Sequence, residues 1–111
     1  MAFGYKILGQ SAPTNTSNAN VYTVPTGRET IVSSIAVANV TNTDAIYEIY
    51  IRANGATAAA SNALVFDATA TKNSTTIIQA GITLSAGDII TVQSGTGNAI
   101  TFHVFGTEVI L

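Results

Sequence analysis

The sequence predicts an all-β domain, an antiparallel β-sandwich or barrel, and three observations lead to this prediction. Thr, Ser and Asn supply 34 of the 111 residues, and Ala, Ile and Val provide most of the apolar content. β-Branched residues such as Thr, Ile and Val are enriched in strands. Short runs in which apolar and polar residues alternate are separated by turn residues, and the turns recur every roughly 8–12 residues. No helical periodicity lasts beyond two turns. We therefore predict eight or nine short strands in one domain covering residues 1–111.

The first strand is predicted over 4–9, where Tyr5 and Ile7 alternate with other residues, and the polar segment 11–20 is predicted to be a loop or arm. Further strands follow along the chain at 20–24, 29–40, 45–53, 63–67, 75–80, 88–93 and 98–105. A short piece is predicted at 82–84, and the apolar segment 107–111 closes the chain. Pro, Gly, Asn and Asp lie between several of these segments and favour turns. The Ala-rich segment 56–63 is too short for an independent helix, so we expect a loop with at most one helical turn.

Composition excludes several classes of protein. Cysteine is absent, which rules out disulfides, zinc–thiolate sites and a thiol nucleophile. The formal net charge is −2, and the four Lys and Arg residues are scattered, so no nucleic-acid partner is expected. No apolar run reaches the length of a membrane span, and residues 1–10 lack the pattern of a secretory signal. We therefore expect synthesis in the cytoplasm and no membrane partner.

Residues for catalysis or metal binding are few and dispersed. His103 is the only histidine, and a serine hydrolase would need it, but no Gly-x-Ser-x-Gly elbow is present. A hydrolase using His103 remains an alternative, although we expect no enzyme activity. The acidic residues are isolated in sequence, so we expect no metal site and no cofactor. Asp44 and Asp67 are expected to cap turns, and Glu48 to pair across strands with an Arg or Lys.

Some apolar residues alternate with core positions and should point outward. They are Ile46, Tyr50, Ile89 and Phe105. Isolated outward apolar residues are normal, but interface cores are poor in charge and rich in aromatics. With so few charges in the chain, we predict that these four residues contact another subunit.

Five segments carry a more specific pattern through their order and spacing. They are YKILGQ (5–10), VYTVP (21–25), VSSIAVAN (32–39), GITLSAGDIITV (81–92) and FHVFGTE (102–108). Together they resemble a family of small virion structural proteins of tailed bacteriophages, especially phages of marine and freshwater bacteria.

The resemblance implies a β-sandwich of jelly-roll type that is assembled into the virion, with no catalytic residues. The resemblance leaves open where in the virion the protein lies. We expect a capsid decoration or cement subunit, a homotrimer that stabilises the head by bridging copies of the major capsid protein. A tail, neck or fibre component, which could bind a host glycan, is the alternative. For the decoration subunit, the expected subunit or coat contacts are Ile46, Tyr50, Ile89, Phe105 and the arm 11–20.

Overall fold

Strands make up most of the structure, a computed structural model that describes residues 4–111. Residues 1–3, part of the stretch considered for an export signal, lie outside the described residues. Within residues 4–111 there are eight strands, with the following bounds: β1 Tyr5–Ser11, β2 Ala19–Thr23, β3 Arg28–Asn39, β4 Ala45–Arg52, β5 Ala63–Ala70, β6 Thr75–Ser85, β7 Ile89–Ser94 and β8 Ile100–Ile110. Among residues 4–111, no helix has the length and apolar character needed to cross a bilayer.

The strands form two four-stranded antiparallel sheets. Sheet 1 has the order β1-β8-β3-β6, and sheet 2 has the order β2-β7-β4-β5. Two facing sheets of four strands, connected in this order, form a jelly roll. The predicted antiparallel sandwich and its jelly-roll type are confirmed.

Two pairs of predicted strand segments are single strands in the structure. The predicted segments 75–80 and 82–84 belong to one strand, β6, and the segments 98–105 and 107–111 merge into β8. Each prediction divided the strand at a glycine. β8 continues through Gly106. This glycine lies so close to β3 that a side chain at its position would overlap the carbonyl oxygen of Ile31. A glycine inside a strand can mark such a close approach of two backbones.

The core lies between the two sheets. Phe102, Ile35, Ile49, Ile90 and Val104 are among its fully buried members. Tyr47 of sheet 2 and Phe102 of sheet 1 make an edge-to-face contact with ring centroids 6.2 Å apart. Such a pair adds to the stabilisation that burial of the apolar surface already provides.

A β-bulge in β3 determines which residues face outward. The register of β3 shifts between Val32 and Ser34 against both β6 and β8. The extra residue reverses the alternation of side chains from that point. Ile35 is therefore 1% exposed, whereas Ile31 is 44% exposed although both occupy odd positions in one predicted strand.

The two long loops lie against the domain. The segment predicted as a polar arm, 11–20, begins in β1 and ends in β2, which leaves residues 12–18 as the loop. The carbonyl oxygen of Pro13 accepts from Asn98 N, and that of Thr16 accepts from Gln93 Nε2. Between β4 and β5, the Ala-rich segment 56–63 contains one 3-10 turn, Ala60–Asn62, which agrees with the prediction. A second 3-10 turn, Ala53–Gly55, precedes this segment.

Candidate interaction surface

The outer face of sheet 1 carries no Asp, Glu, Lys or Arg over four consecutive cross-strand rows. Residues paired across neighbouring strands share a face. The first row holds Tyr5, Thr107, Ile31 and Thr83; the second Ile7, Phe105, Ser34 and Gln79; the third Gln10, His103, Ala36 and Ile77; and the fourth Thr101, Ala38 and Thr75. We call these 15 residues the neutral face.

Large apolar side chains are exposed on the neutral face. The exposed fractions are 81% for Tyr5, 55% for Ile7, 44% for Ile31 and 54% for Ile77. Phe105 is half-buried at the centre of the face. Single exposed apolar residues are ordinary, but a contiguous group without charges is typical of an interaction surface.

His103 lies on the neutral face and is held by two neighbours. Gln10 Nε2 and His103 Nδ1 are hydrogen-bonded at 2.9 Å. The imidazole stacks on Phe105, with centroids 6.2 Å apart and planes inclined by 17°. Among residues 4–111, the His103 ring makes no hydrogen bond to a serine or a carboxylate.

The outer face of sheet 2 is polar and bonded within the chain. Arg52 Nη1 donates to Asn20 Oδ1 and to Thr91 Oγ1, both at 3.1 Å. The same guanidinium donates to the carbonyls of Gly55 and Ala56, which fixes the loop after β4 against the sheet. The polar groups of Arg52, Asn20 and Thr91 on this face are therefore already bonded within the chain.

Glu48 and Tyr50 form a buried pair on the same outer face. The two residues are 8% and 6% exposed, and the phenol of Tyr50 donates to Glu48 Oε1. The hydrogen bond to Glu48, with burial, raises the pKa of Tyr50 to about 12. The expectation that Glu48 pairs with an Arg or Lys is therefore wrong, because the tyrosine hydroxyl occupies that position.

The four predicted contact residues do not share one surface. Ile46 is 46% exposed on sheet 2, and Ile89 is half-buried opposite Arg52 on the same sheet. Phe105 lies on sheet 1, on the opposite side of the sandwich. Tyr50 is not an exposed residue, because it is bonded to Glu48 and the turn Ala60–Asn62 lies against β4.

Sequence reasoning missed most of the neutral face. The alternation of Tyr5 and Ile7 along the strand was recognisable, but no feature of the sequence showed that their face of the strand is the exposed one. Simple alternation along the predicted strand 29–40 would place Ile31 and Ile35 on one face, but the bulge between them separates the two. The one available signal was Ser33-Ser34, two small polar residues that interrupt an apolar strand at the position of the bulge.

Glu108 organises a polar cluster at one end of the sandwich. Its carboxylate contacts Lys6 Nζ at 2.6 Å and Arg28 Nη1 at 2.9 Å. Tyr22 Oη donates to Glu108 Oε2 at 2.5 Å and also lies 2.7 Å from Thr30 Oγ1. These side chains come from β1, β2, β3 and β8, so the cluster connects the two sheets. The bonds from Lys6 and Tyr22 lower the pKa of Glu108 to about 2.

Asp44 and Asp88 accept hydrogen bonds from backbone N–H groups. Asp44 Oδ1 accepts from Lys72 N, and Asp88 accepts from Ser85 N and Asn54 N. Asp67 does not cap a turn as predicted; it lies within β5 with φ of 52°. In the described part of the chain, no three His, Asp or Glu residues come together as a possible metal site.

Comparisons with known proteins bear on the fold. No protein-family model and no curated protein sequence matches the chain. Among solved structures, a chain in the structure of infectious bursal disease virus, Gx strain, matches with a TM-score of 0.54 and 9% identity. The match covers 96% of this chain and 31% of that chain, so the protein spans about a third of the viral chain's length. At this identity the likeness establishes a shared fold: almost all of the chain follows a jelly roll that also occurs in a virus particle.

Proposed function

We propose that the chain is a structural subunit of a virion. The observation that carries the proposal is the jelly-roll fold over 96% of the chain, shared with a chain of a virus structure. Jelly rolls also occur in lectins and cupins, so the fold alone supports more than one function. The neutral face adds a second argument, because an uncharged sheet face with exposed apolar residues suits an assembly subunit.

More specifically, we propose a capsid decoration or cement subunit of a tailed bacteriophage, with a binding role rather than an enzymatic one. The resemblance to small phage virion proteins supports this assignment. Three of the five segments that carry this resemblance contain Lys6, Tyr22 and Glu108, and these three residues meet in one polar cluster. The pattern therefore includes residues that hold the two sheets together, as expected for a family that shares this domain.

A decoration subunit stabilises a shell by binding only the assembled state. Each bound copy favours that state by mass action, and many copies add their contributions. Contact with two coat subunits at once raises the effective concentration at the second contact. Sheet 2 offers candidate coat contacts in its exposed apolar residues, which are Ile46, Leu64 and Phe66.

The test is the number of copies per particle, measured in purified virions by quantitative mass spectrometry against the major capsid protein. Hundreds of copies in a fixed ratio to the capsid protein are expected for a decoration subunit. A few to a few tens of copies would move the chain to the tail, neck or fibres. Absence from the particle would refute the virion proposal.

A further inference from the structure

We propose that the neutral face packs against the neutral face of a second copy of this chain, forming a two-fold dimer. The proposed function gives this dimer its role, as a bridging unit, but the contact itself follows from the surface of the molecule. Two β-sheets that pack face to face lie about 10 Å apart and bury the side chains between them.

The charge distribution favours a second copy as the partner. Along the neutral face the first charged residue is Glu29, which lies one row beyond the Tyr5 row, at the end of the sheet. Two copies of a chain with net charge −2 repel each other weakly, and they can approach most easily through a surface without charge. The outer face of sheet 2 carries Glu48 and Arg52, whose polar groups are already bonded within the chain.

The size of the face is also suitable for a small dimer interface. Four strands span about 19 Å, and residues 31–38 of β3 span about 26 Å. The flat area is therefore about 500 Å², and the relief of Tyr5, Ile7, Ile31 and Ile77 increases the accessible area. Specific interfaces bury as little as about 600 Å² per partner. The face is therefore at the lower end of the size range of specific interfaces, and we expect a weak dimer.

The symmetry of the contact fixes the number of copies. A surface that packs on itself is isologous, and two copies close it. The dimer therefore replaces the homotrimer expected from the resemblance. In this dimer the two copies of sheet 2 lie on the outside and face away from the two-fold axis. Each of them exposes Phe66 and Ile46. One dimer can then contact two coat subunits.

The experiment is sedimentation equilibrium of the full chain between about 1 and 100 µM. The wild type is expected to change from the mass of one chain to the mass of two. Ile77→Lys places a charge in the interface, and we expect at least a tenfold rise in the dimer dissociation constant. Phe66→Lys is the matched control, because both wild-type residues are 54% exposed but Phe66 lies on sheet 2. Circular dichroism and thermal melting establish that both variants are folded.

The proposal is overturned by a wild type that remains monomeric to 100 µM, by a limiting mass of three chains, or by equal effects of the two substitutions. Should Ile77→Lys fail to fold, Ile7→Lys tests the same face from its other edge. These outcomes are independent of the copy number on virions. A monomer in solution that is present in hundreds of copies on the particle would refute the dimer and retain the proposed function.

Discussion

Acidification should remove the stabilisation that depends on the Glu108 carboxylate. The pKa of Glu108 is about 2 in the folded protein, against an ordinary value of 4.5. A carboxylate with a lowered pKa stabilises the folded state at a pH above the unfolded value. That contribution is complete at pH 7, begins to fall near pH 4.5 and is largely lost as the pH passes through about 2.

The size of the effect follows from the same two pKa values. The difference corresponds to about 3 kcal/mol of unfolding free energy as an upper limit. Lys6 is half exposed, so solvent screens its interaction with Glu108. After this reduction we expect about 1–2 kcal/mol.

The assay is urea unfolding of the wild type and Glu108→Gln at pH 7, 4.5, 3 and 2, at one fixed protein concentration. Glutamine retains the shape of the side chain but not the charge that Lys6 and Arg28 bind. The wild type should be more stable than the variant by about 1–2 kcal/mol at pH 7, and the difference should shrink towards zero near pH 2. Glu29→Gln serves as the control, because Glu29 is exposed and its side chain makes no hydrogen bond among the described residues. A wild-type advantage over Glu108→Gln that stays constant from pH 7 to pH 2 would refute this reasoning.

Three further substitutions test the fold. Phe102→Ala removes a fully buried ring from between the sheets and should lower the unfolding free energy by about 3–5 kcal/mol, measured by urea denaturation. Gly106→Ala should lower the melting temperature by several degrees, because the added methyl group would overlap the backbone of β3. Gly81→Ala is the control and should change the melting temperature little, because nothing lies within 4 Å of the added methyl group. Equal shifts would contradict the close approach of the β8 and β3 backbones at Gly106. Arg52→Ala should accelerate amide hydrogen exchange in residues 53–62, because the guanidinium holds two carbonyls of that loop, and an unchanged exchange pattern would show that the loop is held by other contacts.

Much of the fold could be predicted from the sequence because strand alternation and turn residues are local signals. The strand around Tyr47 and Ile49 was recognisable, as were the turns near Gly27 and Gly95. Strand pairing depends on distant residues, and the resemblance supplied the jelly-roll type. The glycines at 81 and 106 were misjudged because a strand glycine signals either a break or a close backbone approach, and only the neighbouring strand decides which.

The candidate surface was less predictable, for a physical reason. One bulged residue reverses the face of every later side chain in a strand, so Ile31 and Ile35 separate. The burial of Tyr50 depends on a loop and on Glu48, neither of which alternation describes. Exposure of a whole sheet face is a property of four strands together, and these strands come from opposite ends of the chain.

The most direct test of the central claim is a cryo-electron microscopy reconstruction of the intact virion at a resolution that separates β-sheets. We expect two-sheet density of this size at repeated positions of the capsid lattice, in contact with two neighbouring coat subunits. A capsid without such density on its shell, in particles that contain the chain, would contradict the decoration role.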